Sequence, residues 1–405
     1  MAATVAAISS DILFDIFRLA IVYPPDGFSF GGHLGHWYSN ESVASLRLVC
    51  RHWREPALRA LLHSTAIYDR AAAQNILDTF AADPSRKSKV RFLVLSLDED
   101  AGYHLSLEAD SHRLFLESVD FVRVISAVST GLTHLHLHPL HFGARELLLP
   151  ALRACPNLRC LIISPRFQGY EGATWGENLY SHTDVVQLAL PPKLETLEVD
   201  FESSWSAPIP VIEAPVSPNA LRKLRLTCDC DAEALWQVLM QSESLELCEL
   251  YFERLLAREG TAAALMYSTE TMRHLRFISN PTVRDLELFD DTATPLFDIL
   301  LPRYRRLISL SVTATEISFR LFRLVPPTLR HLEIQSPNHK AAFVFDQQLI
   351  RDLSDPTLAI HLETFIVRDA ASAYDPDDIQ SFYEHCTARG IIFTFQPDSA
   401  ATSTD

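Results

Sequence analysis

One apolar pattern recurs along most of this chain and constrains its fold more than any other feature. Each copy has a large apolar residue, two residues of any kind, and then two apolar residues separated by one position. The copies start at Val90, Leu132, Leu158, Leu194, Leu221, Leu245, Met272, Leu307, Leu329 and Leu362. Several copies follow a proline, as in CPNLRCLII and PPKLETLEV, which predicts a turn leading into a short strand. Because alternate strand residues share a face, the last two anchors of each copy are expected to point into one core.

Segments with apolar residues at helical spacing lie between the copies. ARELLLPALRAC, AEALWQVLMQ and FDQQLIRDL each place apolar residues three or four positions apart. The unit is therefore helix, turn, strand, and from Leu132 onward the first anchors are 22 to 36 residues apart. A single unit cannot bury its own apolar face, so we expect neighbouring units to stack and share a core.

In this pattern the chain resembles leucine-rich-repeat proteins over residues 88–395. The resemblance implies an α/β fold in which an irregular leucine-rich-repeat solenoid, a curved parallel sheet with outer helices, occupies residues 69–395. An ordinary α/β domain is the alternative, because its buried parallel strands also read Leu-x-Leu. Residues 396–405 are expected to form a disordered tail.

The residues that alternate with the strand anchors predict a recognition surface. They lie on the concave face of the sheet, where charged, tyrosine and histidine side chains suit a protein epitope. The candidate target-binding residues are Glu198, Asp200, Lys223, Arg225, Glu249, Tyr251, His274, Arg276, His331 and Glu333.

The N-terminal segment has a pattern typical of short amphipathic helices. DILFDIFRLA, at residues 11–20, places five apolar residues on one helical face, and Ser9 or Ser10 is available as the N-cap. A second helix is predicted at about 42–54, and Pro56 is expected to begin a third, because proline is favoured at the start of a helix. Such short helices bury little alone, so we expect them to pack on something else.

ISSDILFDIFRLA followed by SLRLVCRHWREPALRALLHS resembles an F-box, in particular the F-box proteins of fungi. The resemblance implies an F-box-like helical domain over residues 1–68, with a long inserted loop at 22–41. It also implies a substrate-recognition subunit of an SCF-type (Skp–cullin–F-box) E3 ubiquitin ligase. The domain would dock a Skp-type adaptor, and through it cullin and RING subunits, while the repeats bind an unknown target protein. The residues that stand at the family's adaptor-contacting or packing positions are Ile8, Ser9, Ile12, Leu13, Ile16, Phe17, Leu46, Val49, Cys50 and Trp53, with Ser9 where the family usually has proline.

Two other interpretations of the N-terminal helices and the repeats stay open. The helices are also typical of a cap that closes the end of a repeat array, with Trp53 as a core residue. If they bind no adaptor, the chain is expected to be a protein-interaction scaffold without a role in ubiquitin transfer.

The sequence HLHLH at 134–138 raises a third interpretation, a metal-dependent hydrolase that uses His134 and His136. On a strand, His134, His136 and His138 point to the same side, as a pair of metal ligands would. No carboxylate is placed to complete or orient such a site, and this side of a repeat strand is expected to face solvent. We therefore predict a non-catalytic protein without a metal site or cofactor.

Composition limits the partners and the compartment. The formal net charge of −16 repels nucleic-acid phosphates. No apolar run reaches the ~18 residues of a membrane span, and no basic segment precedes the first apolar run. The seven scattered cysteines agree with a reducing compartment. We expect a cytoplasmic or nuclear protein that binds neither nucleic acid nor membrane, with further loops at 168–182 and 207–218.

Overall fold

The repeated pattern forms parallel β-strands in the computed structural model. Each strand has four to six residues. The structure describes residues 8–21, 45–67, 69–96, 116, 118–138, 145–163, 189, 191–200, 220–227, 232–252, 258–279, 294–336, 347–369 and 376–397. The chain divides into two compact units, residues 1–179 and 180–405.

The described part of the first unit combines helices with parallel strands. Its strands lie side by side in chain order: β1 (Ser64–Ile67), β2 (Phe92–Ser96), β3 (His134–His138) and β4 (Cys160–Ile163). Its helices are α1 (Ser10–Ile21), α2 (Arg51–His63), α3 (Arg70–Ala82), α4 (Ser118–Val128) and α5 (Arg145–Arg153), with a 3-10 helix at Pro84–Lys89. Because β1 pairs with β2, the sheet begins before residue 69, inside the segment predicted as a helical domain.

The described part of the second unit repeats the same arrangement. Its strands, again in chain order, are β5 (Thr196–Asp200), β6 (Lys223–Thr227), β7 (Leu247–Phe252), β8 (His274–Ser279), β9 (Ser309–Thr313), β10 (His331–Ser336), β11 (Thr364–Asp369) and β12 (Ile392–Pro397). Its helices are α6 (Ala232–Met240), α7 (Arg258–Met266), α8 (Leu296–Leu300), α9 (Leu321–Leu324), α10 (Gln347–Ser354) and α11 (Pro376–Ala388), with 3-10 helices at Leu301–Arg303 and Ala314–Glu316.

This topology accounts for the position of the helices. Crossovers between parallel strands are almost always right-handed. When neighbouring strands also follow each other in sequence, right-handed crossovers all lie on one face of the sheet, which we call the inner face. The predicted α/β class, with parallel strands and helices packed on one side of them, is therefore confirmed.

The strand anchors form the core on the inner face. In the second unit the first of the two strand anchors stand opposite one another in register, in a row formed by Leu197, Leu224, Cys248, Leu275, Leu310, Leu332, Phe365 and Phe393. All members of this row are buried. The other face, here called the outer face, alternates with these residues and is more exposed, as in β6 and β10.

The helix predicted to start at Pro56 does not exist as a separate element. Residues 47–49 form a turn, and α2 then runs without a break from Arg51 to His63 with Pro56 inside it. Proline lacks the N–H that would bond to the carbonyl of His52. The helix continues because Pro56, Ala57 and Ala60 are buried together, so that apolar contact compensates for the missing hydrogen bond.

Several predicted segments lie outside the described residues. These are the loops at 22–41, 168–182 and 207–218, and residues 398–405 of the predicted tail. The first two residues of that tail, Gln396 and Pro397, belong to β12, which pairs with β11 through Asp369 and Pro397.

The aromatic core at the C-terminal end of the second unit gives a test of this packing. The ring of Phe365 contacts Phe322, Phe382 and Phe393 at centroid distances of 5.6, 6.2 and 5.4 Å. We expect Phe365→Ala to lower the free energy of unfolding by ~3–5 kcal/mol, because it leaves a cavity among these rings. Phe319→Ala is the matched control, since Phe319 is 56% exposed. Urea denaturation measures both, and equal effects would contradict this packing.

Candidate functional site

Helices α1 and α2 pack through a small apolar core. Four residues are buried at its centre and five are partly buried around it: Leu13, Phe17, Ala57 and Ala60, then Ile8, Phe14, Leu46, Trp53 and Leu61. The rings of Phe17 and Trp53 meet edge-on, with centroids 5.5 Å apart. Five of the predicted adaptor-binding residues, Ile8, Leu13, Phe17, Leu46 and Trp53, are therefore in this packing.

The other apolar residues of that prediction lie on the surface. Ile12 and Ile16 are 56% and 49% exposed, and they are one turn apart on the same face of α1. Val49 and its neighbour Leu48 are 60% and 79% exposed in the turn before α2. We call Ile12, Ile16, Leu48 and Val49 the exposed apolar set. The side chains of Ile12 and Ile16 thus form a small exposed apolar strip on one face of α1, and exposed apolar strips are typical of protein-binding regions.

Ser9 and Cys50 stand at the starts of the two helices. The hydroxyl oxygen of Ser9 accepts a hydrogen bond from the backbone N–H of Ile12 at 3.3 Å, as an N-cap does. Cys50 is an exposed free thiol at the N-cap position of α2, where its side chain makes no capping bond. Ser9 thus stabilises the helix that carries Ile12 and Ile16.

Polar contacts hold α1 against α2 at the rim of their core. The imidazole Nε2 of His52 lies 2.8 Å from the backbone oxygen of Ile8. The guanidinium of Arg59 donates to the carboxylate of Asp11 at 3.2 Å and lies 4.7 Å from the ring centroid of Phe14. These contacts fix which residues of α1 face α2, and so leave Ile12 and Ile16 on the outside.

In the second unit, the predicted target-binding residues come together on the outer face of the sheet. Strand register aligns one residue from each strand of β5 to β10, a set that we call the central row: Glu198, Arg225, Glu249, Arg276, Ser311 and Glu333. Neighbouring strands are ~4.8 Å apart. Side chains of alternating charge therefore lie within contact distance across the first four strands.

Two glutamates of the central row, Glu249 and Glu333, have identified ion-pair partners. The Nε of Arg225 lies 3.2 Å from a carboxylate oxygen of Glu249, and both side chains are largely buried. At the other end, Arg368 on β11 contacts Glu333 at 2.6 Å. Glu333 also accepts a hydrogen bond from the amide of Gln335 at 2.8 Å. Each of these glutamates is thus engaged by a cation or an amide of its own.

Tyr251 lies over the middle of the central row. Its ring centroid is 5.8 Å from the guanidinium carbon of Arg225 and 5.3 Å from that of Arg276. Burial raises the pKa of its hydroxyl, Arg276 and Arg225 oppose that rise, and Glu249 adds to it. The tyrosine therefore stays protonated and contacts both cations through its ring.

Glu198 occupies the first position of the central row, and its carboxyl is affected by burial and by neighbouring charges. Burial raises the pKa of its carboxyl, with a further rise from Glu249, while Arg225 and Lys223 act in the opposite direction. Arg225 also forms an ion pair with Glu249, at 3.2 Å. At this end of the central row, the two carboxylates of Glu198 and Glu249 thus flank the single guanidinium of Arg225.

The remaining predicted target-binding residues flank the central row. Lys223, His274 and His331 share the neighbouring row on the outer face. The Nδ1 of His331 lies 2.9 Å from the hydroxyl of Thr364. Asp200 stands opposite Thr227 in the strand register, and its side chain lies outside the described residues. All ten predicted residues therefore occupy outer-face positions of the second unit.

Sequence reasoning missed two outer-face residues, Ser311 and Arg368. Ser311 stands between Arg276 and Glu333 in the central row, and Arg368 pairs with Glu333 from β11. The alternation of anchors within SLSVT and TFIVRD predicts that both residues face outward. Neither was among the predicted target-binding residues, because serine carries no charge and Arg368 comes after the last anchor of its strand.

One histidine of β3, His134, contacts an aromatic neighbour. The ring of His134 stacks on Phe92 with centroids 4.0 Å apart, and Phe92 in turn lies 5.6 Å from His63. His136 is buried, and the side chain of His138 lies outside the described residues. Among the side chains that the structure describes, no three His, Cys, Asp or Glu residues gather to hold a metal ion.

No family model matches the chain, and no curated protein matches it significantly. In the described part of the chain, no helix combines the length and the apolar character needed to cross a membrane.

The stacked histidines predict a pH dependence of stability. Burial, then the charge of Arg159, lowers the pKa of His134 to about 4, and burial, then Arg18, lowers that of His63 to about 4. Between these values and their ordinary 6.5, the unfolded chain binds more protons than the folded chain. The stabilisation is therefore complete above pH 6.5 and is lost as the pH falls toward 4.

We expect His134→Phe to keep the ring stack and to remove one of these titrations. The free energy of unfolding, measured in urea at several pH values, should then fall less steeply between pH 6.5 and 4 than in the unsubstituted chain. His361→Gln, at an exposed position, is the control. An unchanged slope in His134→Phe would show that the imidazole is not held neutral by its surroundings.

Proposed function

We propose that this protein is the substrate-recognition subunit of an SCF-type E3 ubiquitin ligase. In this proposal, α1 and α2 form an F-box-like module that docks a Skp-type adaptor. The strands belong to a leucine-rich-repeat solenoid, and the outer face of the second unit's sheet binds the target protein. The observation that carries the proposal is the exposure of Ile12 and Ile16 on the helix that matches the F-box pattern.

The division between buried and exposed residues supports adaptor docking. Leu13 and Phe17 are buried against α2, which leaves Ile12 and Ile16 free of the helix pair's own core. A helix that served only to pack on its neighbour would gain from polar residues at those two positions. Burying two isoleucine side chains in an interface contributes ~1.5–3 kcal/mol each, which favours a partner that covers them.

The outer face of the second unit supports protein recognition. It carries Tyr251 and several arginines, the residue types that most often dominate binding energy in protein interfaces. Its charges are mixed and partly paired, as in Arg225 and Glu249. A surface of this kind selects a partner by matching individual charges rather than by general attraction.

The proposed mechanism is proximity. The receptor holds its target beside the ubiquitin-charged enzyme, so that a target lysine meets the thioester at a high effective concentration. Bond formation belongs to other subunits, and the receptor's residues contribute binding and orientation. Loss of either surface would therefore abolish the transfer without changing the chemistry.

We expect the double variant Ile12→Asp, Ile16→Asp to lose co-purification with a Skp-type adaptor. Two carboxylates would be desolvated in the interface, while the core formed by Leu13 and Phe17 is untouched. Val119→Asp is the matched control, because Val119 is 49% exposed on α4 of the same unit.

The folded state of each variant is checked by thermal unfolding, and adaptor binding by co-expression and pull-down. The proposal requires that the unsubstituted chain and the Val119→Asp variant bind and that the double variant does not. If a folded, unsubstituted chain binds no adaptor, α1 and α2 are a repeat cap, and the chain is an interaction scaffold.

A further inference from the structure

Arg276 is a cation that the described residues leave without an acidic partner. It lies on β8 in the middle of the outer face, and its side chain is half-buried. Its Nε is buried and has no hydrogen-bond acceptor among the described residues. A buried donor without an acceptor costs ~1–3 kcal/mol. A ligand that supplies a hydrogen-bond acceptor to this Nε would remove that cost.

The glutamates of the central row that lie nearest to Arg276 form ion pairs with other cations. Glu249, its neighbour on β7, pairs with Arg225 at 3.2 Å. Glu333, two strands away in the other direction, pairs with Arg368 at 2.6 Å. The alternation of charges thus breaks at β9, where Ser311 stands beside Arg276 in place of an acidic residue.

Two groups beside Arg276 suit the binding of an anion. The ring of Tyr251 lies 5.3 Å from its guanidinium carbon on one side. The hydroxyl of Ser311 accepts a hydrogen bond from the amide of Gln335 at 3.4 Å, which leaves its own hydrogen available to donate. A guanidinium and a hydroxyl donor beside an aromatic wall can bind a small planar anion.

We infer that Arg276 and Ser311 bind a single carboxylate of the target protein, with Tyr251 as the wall of the site. This inference rests on the proposed function for the identity of the ligand-bearing protein, and it assigns the chemistry that the target must present. Arginine matches a carboxylate geometrically, because its two parallel N–H groups meet the two oxygens.

The surrounding charges favour a carboxylate over a phosphate. Glu198, Glu249 and Glu333 lie along the same row, and Arg225 and Arg368 are already engaged by two of them. A phosphate carries nearly two negative charges at pH 7 and would be repelled more strongly by these glutamates. A carboxylate adds one charge, which the guanidinium of Arg276 compensates.

The first test uses acetate as the probe and the full chain labelled with nitrogen-15 in its arginines. The Nε–Hε resonance of Arg276 is identified by its absence from Arg276→Lys. We expect a saturable shift of this resonance with acetate, and none with acetamide or with chloride at equal ionic strength. Ser311→Ala should weaken acetate binding by roughly tenfold, since it removes one donor. Arg305→Gln should leave it unchanged, because Arg305 is exposed and paired with Glu270.

Two results would overturn the inference. The first is the absence of an acetate shift, or an equal shift with chloride. The second is a shift that occurs only after Asp285, Glu287, Asp290 and Asp291 are replaced by their amides, since the chain's own acidic segment after β8 would then be the ligand.

The second test separates the sources of the carboxylate. Peptides of one sequence carry an internal glutamate, a free C-terminal carboxylate, a phosphoserine or no acidic group, and each is tested for displacement of acetate. Displacement by either carboxylate peptide supports the inference and identifies the source. The inference is contradicted if the phosphoserine peptide displaces acetate at a concentration roughly tenfold lower than the carboxylate peptides need.

The outcome is independent of adaptor docking. Ile12→Asp, Ile16→Asp should keep the acetate shift, and Arg276→Gln should keep adaptor binding, because the changed residues belong to different units. If the adaptor does not bind but acetate does, the carboxylate site stands and its role in a ubiquitin ligase falls.

Discussion

The structure depends on the alignment of apolar side chains between neighbouring parallel strands. One helix–turn–strand unit leaves an apolar strip on the inner face of its strand that it cannot bury alone. Hydrogen bonding to the next strand places the equivalent residues side by side, as with Leu197 and Leu224 or Leu310 and Leu332. Because every copy has the same spacing within its strand, the ladder that pairs the backbones also builds a continuous core. Loops of different length between copies leave this alignment unchanged.

The same register determines what the outer face can be. Residues that alternate with the anchors must also line up, so a charge on one strand always meets the equivalent residue of the next. Opposite charges in the first four positions of the central row are favourable, and like charges there would be destabilising. Opposite charges also meet just before the strands, where Arg222 contacts Glu246 at 2.7 Å and Arg330 contacts Glu363 at 3.0 Å. These exposed pairs contribute little stability each, but a shifted register would oppose them.

The parts that could be predicted from sequence are those that local periodicity controls. The Leu-x-x-Leu-x-Leu spacing indicated the strands and their buried faces, and with them the outer-face positions of Glu249 and Arg276. Pro56 was misjudged because the contacts that hold α2 together across it come from α1, far away in sequence. The stack of His134 on Phe92 was also missed, since 42 residues separate the two and only strand pairing brings them together. The burial of adjacent residues on α1 could not be predicted for the same reason. Leu13 faces the core and Ile12 does not, because the position of α2 decides which side of α1 is covered.

The two proposed surfaces differ in physical character, and this difference matches their proposed tasks. Ile12 and Ile16 present apolar area, whose contribution is nearly independent of the partner's detailed chemistry and suits one constant adaptor. The central row of the second unit instead presents polar groups, and two of them, Arg225 and Glu249, are already largely buried. A wrong partner that leaves Arg276 without an acceptor gains no compensation for that buried donor, whereas a matching carboxylate does. Discrimination by an unpaired buried polar group exceeds what an apolar contact of similar size provides. In the proposed carboxylate site, the break in the charge alternation at Ser311 would therefore make the outer face selective, whereas a fully paired row would offer no unpaired donor to a partner.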